Sequence, residues 1–324
     1  VIAGNKPVLV HNDCSAWRRE LGKSTPELGR DSPRPPMRQD DSALSGEEAV
    51  VSIRKFLLLP GLVRASVRLR GQGARGWEQF WSGVHRTGPD GDVLWDVADR
   101  NELDWCLLRA GQHFDPALPV VDVGCGNGRF TRLLAERFPV VVGVDVSASA
   151  IRLADAESAG ESGVSYRVLD AADPAAMRSL AGDIGPVNVF MRGVLHITAA
   201  DKRAGMAEGI AALVGGSGRV LLVETAFEGD PLGYLEYVGG GRGRIPTLVR
   251  PLVRAGIPPP RRFARPELDR TFPAGSWRRL DSGTVEMHVI DQDGRRPFLP
   301  IPGFFAVLRH VIASDSQSGK AAQR

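Results

Sequence analysis

The sequence predicts an α/β domain with a doubly wound, mostly parallel seven-stranded sheet, helices on both of its faces, and a helical and linker region ahead of it. Three observations predict this. Short Val- and Leu-rich runs recur between residues 119 and 223 without the strict alternation of a half-exposed strand, as expected where both faces of a parallel sheet are covered. Amphipathic helical patterns separate those runs, the alternation that builds βαβ units. A glycine-rich turn follows the first run, and open α/β sheets bind ligands at the carboxyl ends of their strands.

In chain order, residues 1–14 carry the apolar string Pro7-Val8-Leu9-Val10 and then the polar pair His11-Asn12. Residues 15–76 begin as a Pro-, Ser-, Arg- and Asp-rich stretch with little periodicity, the pattern of a linker. From about residue 49 they continue as one or two amphipathic helices split at Pro60. No acidic residue occurs between Glu48 and Glu78, whereas Arg54, Lys55, Arg64, Arg68, Arg70 and Arg75 do. This stretch reads as a helical lead-in packed on the domain behind it; an anionic membrane or an acidic substrate is the alternative use of such charge.

The α/β domain is expected over residues 77–314. Its strands fall at 119–123, 140–145, 165–169, 187–191 and 219–223, and its helices at 130–138, 147–159, 174–181 and 200–213. Two later runs, 284–290 and 304–311, fit an antiparallel pair that completes the sheet. The polar stretch 315–324 reads as a disordered tail.

Composition excludes several classes. With 43% hydrophobic and 24% charged residues, the chain has the means to build a packed core. No apolar run reaches the roughly 18 residues a spanning helix needs; the longest candidate, residues 56–63, is broken by Pro60-Gly61. No secretory start is visible, so a cytoplasmic protein is expected. The net charge of +3 is too small to mark a nucleic-acid binder by itself, so nucleic acid is not the favoured partner. Cys14, Cys106 and Cys125 make neither a disulfide framework nor a zinc spacing, and no metal is expected.

The sharpest chemical signal is Asp122-Val123-Gly124-Cys125-Gly126-Asn127-Gly128. Glycines at alternate positions between a strand and a helix let the backbone pass close under a ligand. A dinucleotide fingerprint needs G-x-G-x-x-G, and neither register of this turn supplies the last glycine; a P-loop fails for want of Gly-Lys-Ser/Thr. A strand-end carboxylate ahead of Gly-x-Gly-x-Gly suits a cationic ligand group better than a phosphate.

This stretch resembles the first motif of the class I S-adenosylmethionine-dependent methyltransferases, and the resemblance extends over residues 77–311. Asp145-Val146, closing the strand Val141–Val144, is similar to the family's ribose-binding acid and its neighbour. Asp170-Ala171 resembles the motif beside the adenine. Residues 187–198, with Gly193-Val194-Leu195-His196, are similar to the fourth-strand motif of small-molecule members, and residues 215–224 to the glycine turn and fifth strand. The resemblance implies S-adenosylmethionine as cofactor, with Asp122, Gly124, Cys125, Gly126, Asn127, Gly128, Asp145, Val146, Asp170 and Ala171 around it. Arg192, where the family often has a small polar residue, is placed at the cofactor carboxylate or an anionic substrate; Asn188 stands where the family often has Asp.

Methyl transfer requires alignment and exclusion of water more than a strong base, and His196 is the candidate if a base is used. Trp77, Phe80, Trp81 and Trp95 cluster in a chain with only 6% aromatic residues, and they loosely resemble the lid of thiopurine-type methyltransferases. Residues 226–265, with Tyr234, Tyr237, Arg242 and Arg244, read as a substrate cover. A small-molecule acceptor is therefore expected; a scaffold without transfer activity is the non-enzymatic alternative.

Residues 3–12 resemble the closing segment of Hint autoprocessing domains of bacterial polymorphic toxins. That resemblance implies a second reading: an effector released from an exported toxin, methylating RNA or protein in a target-cell cytoplasm, with an immunity protein as partner.

Overall fold

The computed structural model describes residues 73–239 and 245–312. The Hint-like string, the linker, the basic stretch up to residue 72, Arg242, Arg244 and the polar tail lie outside the described residues.

Seven strands form one sheet in the order β3-β2-β1-β4-β5-β7-β6. They are β1 (Val120–Val123), β2 (Val141–Asp145), β3 (Val164–Val168), β4 (Asn188–Arg192), β5 (Val220–Thr225), β6 (Trp277–Val289) and β7 (Leu299–His310). The first five run parallel, whereas β7 is antiparallel to both β5 and β6. Strand order reverses between β1 and β4, so the carboxyl ends of these two strands flank the crevice where such sheets take ligands.

Successive residues of a strand face opposite sides, and the Val/Leu runs therefore feed two cores. Val121, Val123 and Leu222 pack with Met177, Ile210 and Leu213 on one face. Val120, Val141 and Leu221 pack with Leu134, Phe138, Phe190 and Val307 on the other.

The helices, numbered in chain order, are α1 (Gly73–Ser82), α2 (Asn101–His113), α3 (Arg129–Ala135), α4 (Ala148–Glu157), α5 (Pro174–Ile184), α6 (Ala200–Val214), α7 (Pro231–Tyr237), α8 (Arg250–Arg254) and α9 (Arg265–Thr271). Ser147 caps α4 through Ala150 N–H, and Asp173 caps α5 ahead of Pro174. Because those two residues do the capping, Asp145 and Asp170 are left for other uses.

The late strands are longer than their apolar runs. The first half of β6 carries Arg278, Arg279, Asp281 and Ser282, an edge composition that hides a strand from a hydrophobicity reading. β7 begins before Pro300 and Pro302, residues that argue against an inner strand. They cost no ladder bond here. β5 pairs with β7 only up to Gly303, and the Pro302 and Pro300 carbonyls, facing away from β6, accept from Ala226 N–H and the Tyr237 hydroxyl.

Candidate active site

The site assembles at the carboxyl ends of β1, β2, β4 and β5, around a cavity of about 450 Å³. The glycine turn after β1 forms its floor. Gly126 has φ +55, and a Cβ there would stand 2.7 Å from Trp81 Cζ2; only glycine lets the loop run this close under the indole. Cys125 is buried in the same turn, and burial pushes its thiol well above the ordinary value, so it serves as wall and not as nucleophile.

Three strand-end acids behave differently. Asp145 is 8% exposed; its Oδ2 accepts from Gly126 N–H at 3.0 Å and its Oδ1 from Ser147 N–H at 2.9 Å. Burial raises its carboxyl to about 6 despite those donors. Asp122 lines the cavity but is 2% exposed, accepts from Thr131 Oγ1 at 2.6 Å, and is raised by burial to about 7. The expectation of an open strand-end carboxylate aimed at a cationic group is corrected: Asp122 stays within the β1–α3 packing. Asp170 is exposed at the rim, with its Oδ1 on Ala172 N–H, beside Ala171 in the cavity wall.

The aromatic cluster covers the floor. Trp81 and Trp95 meet edge-to-face with ring centroids 6.1 Å apart, and Trp77 lies 6.3 Å from Trp95. Glu78 of α1 accepts from Ser147 Oγ, Ser149 N–H and Ser149 Oγ, which fastens this lid to the first turn of α4. Desolvation opposes ionisation of Glu78, but these hydrogen bonds and Arg152 outweigh it and hold the carboxyl below its ordinary value. Asn127 donates to Asp96 at 2.9 Å, and Arg129 donates to the carbonyls of Trp95 and Val97. The lid is thus tied to both ends of the glycine turn's surroundings.

On the other side, Arg192 forms a two-pronged pair with Glu102, at 2.8 and 3.0 Å, and lies over the Phe130 ring. Burial works against its charge, but Glu102 prevails and keeps the guanidinium above its ordinary value. The expectation of a free cation for the cofactor carboxylate or an anionic substrate is corrected: Arg192 borders the cavity with its charge already matched. Asn188 is not at the site at all. It lies at the opposite end of β4, donating to the Asp115 carbonyl and accepting from Arg219 N–H.

His196 borders the cavity, and its Nδ1 lies 2.6 Å from Oε2 of Glu224, a fully buried carboxylate at the end of β5. Glu224 also accepts from the backbone N–H groups of Val194, Leu195 and His196. From the cover segment, Tyr234 lines the cavity, together with Leu252, Ile257 and Pro258 to Pro260. Tyr237 does not: it is 40% exposed and donates to the Pro300 carbonyl at 2.6 Å, so its expected place in the substrate wall is corrected. Met287, Val289 and Ile301 of the late hairpin complete the apolar wall.

Sequence reading passed over Glu224, Glu102 and Glu78. The available signal for Glu224 was its position: a lone acid closing the Val220–Val223 run, as Asp122 and Asp145 close or interrupt theirs.

Residues 120–218 match the family model described as a methyltransferase domain. Among solved structures, an S-adenosylmethionine-dependent methyltransferase from Anabaena variabilis is similar at 29% identity and a TM-score of 0.65, over 74% of this chain and 95% of that one. A structure described for the conversion of a disulfide bond into a thioacetal group during echinomycin biosynthesis shares the fold, at 20% identity, a TM-score of 0.53, and 72% and 93% coverage. No protein of curated function matches the sequence. Residues 120–218 are similar to a methyltransferase domain, and this match, the seven-stranded fold and the likeness to the Anabaena variabilis structure support an S-adenosylmethionine-dependent methyltransferase.

Proposed function

We propose that the chain methylates a small-molecule acceptor held between the glycine turn and the aromatic lid. The observation that carries this reading is a single cavity of about 450 Å³ that is bordered at once by Gly124 to Asn127, by Asp145, and by Trp77, Trp81 and Trp95. That volume lies in the range of small-ligand sites. Its predominantly apolar walls lack the exposed row of stacking platforms and basic groups that tracks a nucleic-acid strand. Among the described residues, no helix is long and apolar enough to cross a membrane.

When bound, the cofactor supplies an electrophilic methyl group on a sulfonium. The residues around the turn fit it: Gly126 and its neighbours let backbone approach the methionine portion, and Asp145 retains acceptor lone pairs for ribose hydroxyls. Val146, Asp170 and Ala171 border the expected adenine side, and Asn127 is held by Asp96 against the lid. Trp77, Trp81 and Trp95 exclude water and offer aromatic faces to a cation. His196 is the proton acceptor in the acceptor half of the cavity.

Calorimetry tests the reading. S-adenosylmethionine and its demethylated product should both bind, and NAD should not compete. Folded protein that takes up neither compound would sink the proposal.

A further inference from the structure

We infer that the acceptor atom is the oxygen of a neutral aromatic hydroxyl, deprotonated by His196, with Glu224 as the residue that positions the imidazole. This rests on the methyl-transfer reading and names its substrate class.

The geometry begins at Glu224. Three backbone N–H groups of residues 194–196 donate to its carboxylate, so both of its oxygens stand as acceptors. The ring contact falls on Oε2, which already accepts from His196 N–H, and the 2.6 Å contact is therefore assigned as a bond donated by His196 Nδ1–H. The tautomer follows: Nε2 carries the lone pair. No described group pairs with Nε2, and it is absent from the buried, unpartnered polar atoms, so this lone pair opens to the cavity His196 borders. The other charged groups near the pair are Arg203 of α6, whose guanidinium interacts with Glu224, and Lys202, exposed at the cavity rim. Arg261 reaches His196 only through its backbone N–H.

The walls select what this base acts upon. Trp81, Trp95, Leu252, Ile257, Met287 and Ile301 suit a flat apolar body, whereas an ammonium or a carboxylate would lose hydration against these side chains. A carboxylate also needs no base. A thiol, with a pKa of about 8.5, ionises with less help than a phenol at about 10, so a preorganised imidazole gains most with the phenol. Tyr234, pushed up to about 12 by burial, stays protonated at the same wall as a hydrogen-bond donor for oxygen substituents. In the reaction the hydroxyl proton passes to Nε2. The oxygen's electron pair forms the new bond to the methyl carbon while the carbon–sulfur bond breaks, leaving its pair on a neutral thioether. His196 then returns the proton to solvent.

The test uses 4-nitrophenol as a chromogenic acceptor with protein saturated by S-adenosylhomocysteine, at a pH where the free dye is mostly protonated. The bound dye should show the yellow phenolate band, with its protonation equilibrium shifted at least tenfold towards phenolate. His196→Asn should abolish that shift while S-adenosylhomocysteine affinity and melting temperature stay within twofold and a few degrees. Glu224→Gln should reduce the shift; if that variant fails to fold, the His196 variant carries the test alone. Dye that does not bind, binds only as the neutral phenol, or remains phenolate in His196→Asn would overturn the inference. Loss of S-adenosylhomocysteine binding in the wild type would instead overturn the methyl-transfer reading beneath it.

Discussion

Two buried carboxylates stand on opposite sides of the β1–β4 crevice, and their hydrogen-bond accounts differ. Asp145, on the cofactor side, receives backbone bonds from Gly126 and Ser147 and remains 8% exposed. Glu224, on the acceptor side, receives three backbone bonds and the His196 ring, and is fully buried. A carboxylate has about four lone-pair sites. Glu224 has spent them inside the protein and can act only through His196, whereas Asp145 keeps capacity for a ligand. Counting donors thus separates a positioning acid from a binding acid where strand position alone does not.

The sharpest way to break this contrast is to remove each acid. Glu224→Ala leaves three buried N–H groups and an imidazole unpaired, and should cost about 3–5 kcal/mol of folding stability in denaturant titrations. A loss under about 1 kcal/mol would show that the turn after β4 holds itself. Asp145→Ala should instead weaken cofactor binding by about 1.5–3 kcal/mol, roughly tenfold to a hundredfold, by calorimetry. Because ribose hydroxyls donate to the ionised carboxylate, wild-type affinity should also fall as pH drops below about 6, the value to which burial raises Asp145. Affinity that is flat across that range would remove Asp145 from the binding role.

A third acid extends the comparison. Asp122 is raised by burial from 3.8 to about 7 in the folded protein. Between those values the native state retains a proton that the unfolded chain has released, so raising the pH favours unfolding. Asp122→Asn removes this penalty. The variant should gain about 1–2 kcal/mol on the wild type between pH 5 and 8, read from urea midpoints; a difference independent of pH would show that Asp122 is ionised throughout. The smallest effect is expected for Tyr237→Phe, which loses one exposed bond outside the cavity. Cofactor affinity should stay within about 0.5 kcal/mol, and a larger change would return Tyr237 to the site.

The parallel half of the fold was legible chiefly where its strands are short and almost wholly buried: the expected β1, β2, β4 and β5 differ from the observed ones by one or two residues at an end. The late hairpin was half legible, since polar edge residues and two prolines mask strands whose ladder bonds they do not disturb. At the site, Asp145, residues of the glycine turn, Trp81 and His196 border one cavity. Arg192 borders the cavity as expected but with its charge matched, and Tyr237 lies outside it, for a common reason: their partners, Glu102 and the Pro300 carbonyl, lie 90 and 63 residues away in sequence. The role of Glu224 is not legible in the sequence, because its task exists only once β4 and β5 lie side by side.

The Glu78 contacts have a kinetic consequence. The lid is latched to Ser147 and Ser149, two and four positions beyond the acid that faces the ribose, and its indole lies over Gly126. Release of spent cofactor past this lid should require the latch to open, and rapid-mixing kinetics should then show a burst of methylated product equal in amount to the enzyme before the steady state; a linear onset would show that the latch does not pace turnover.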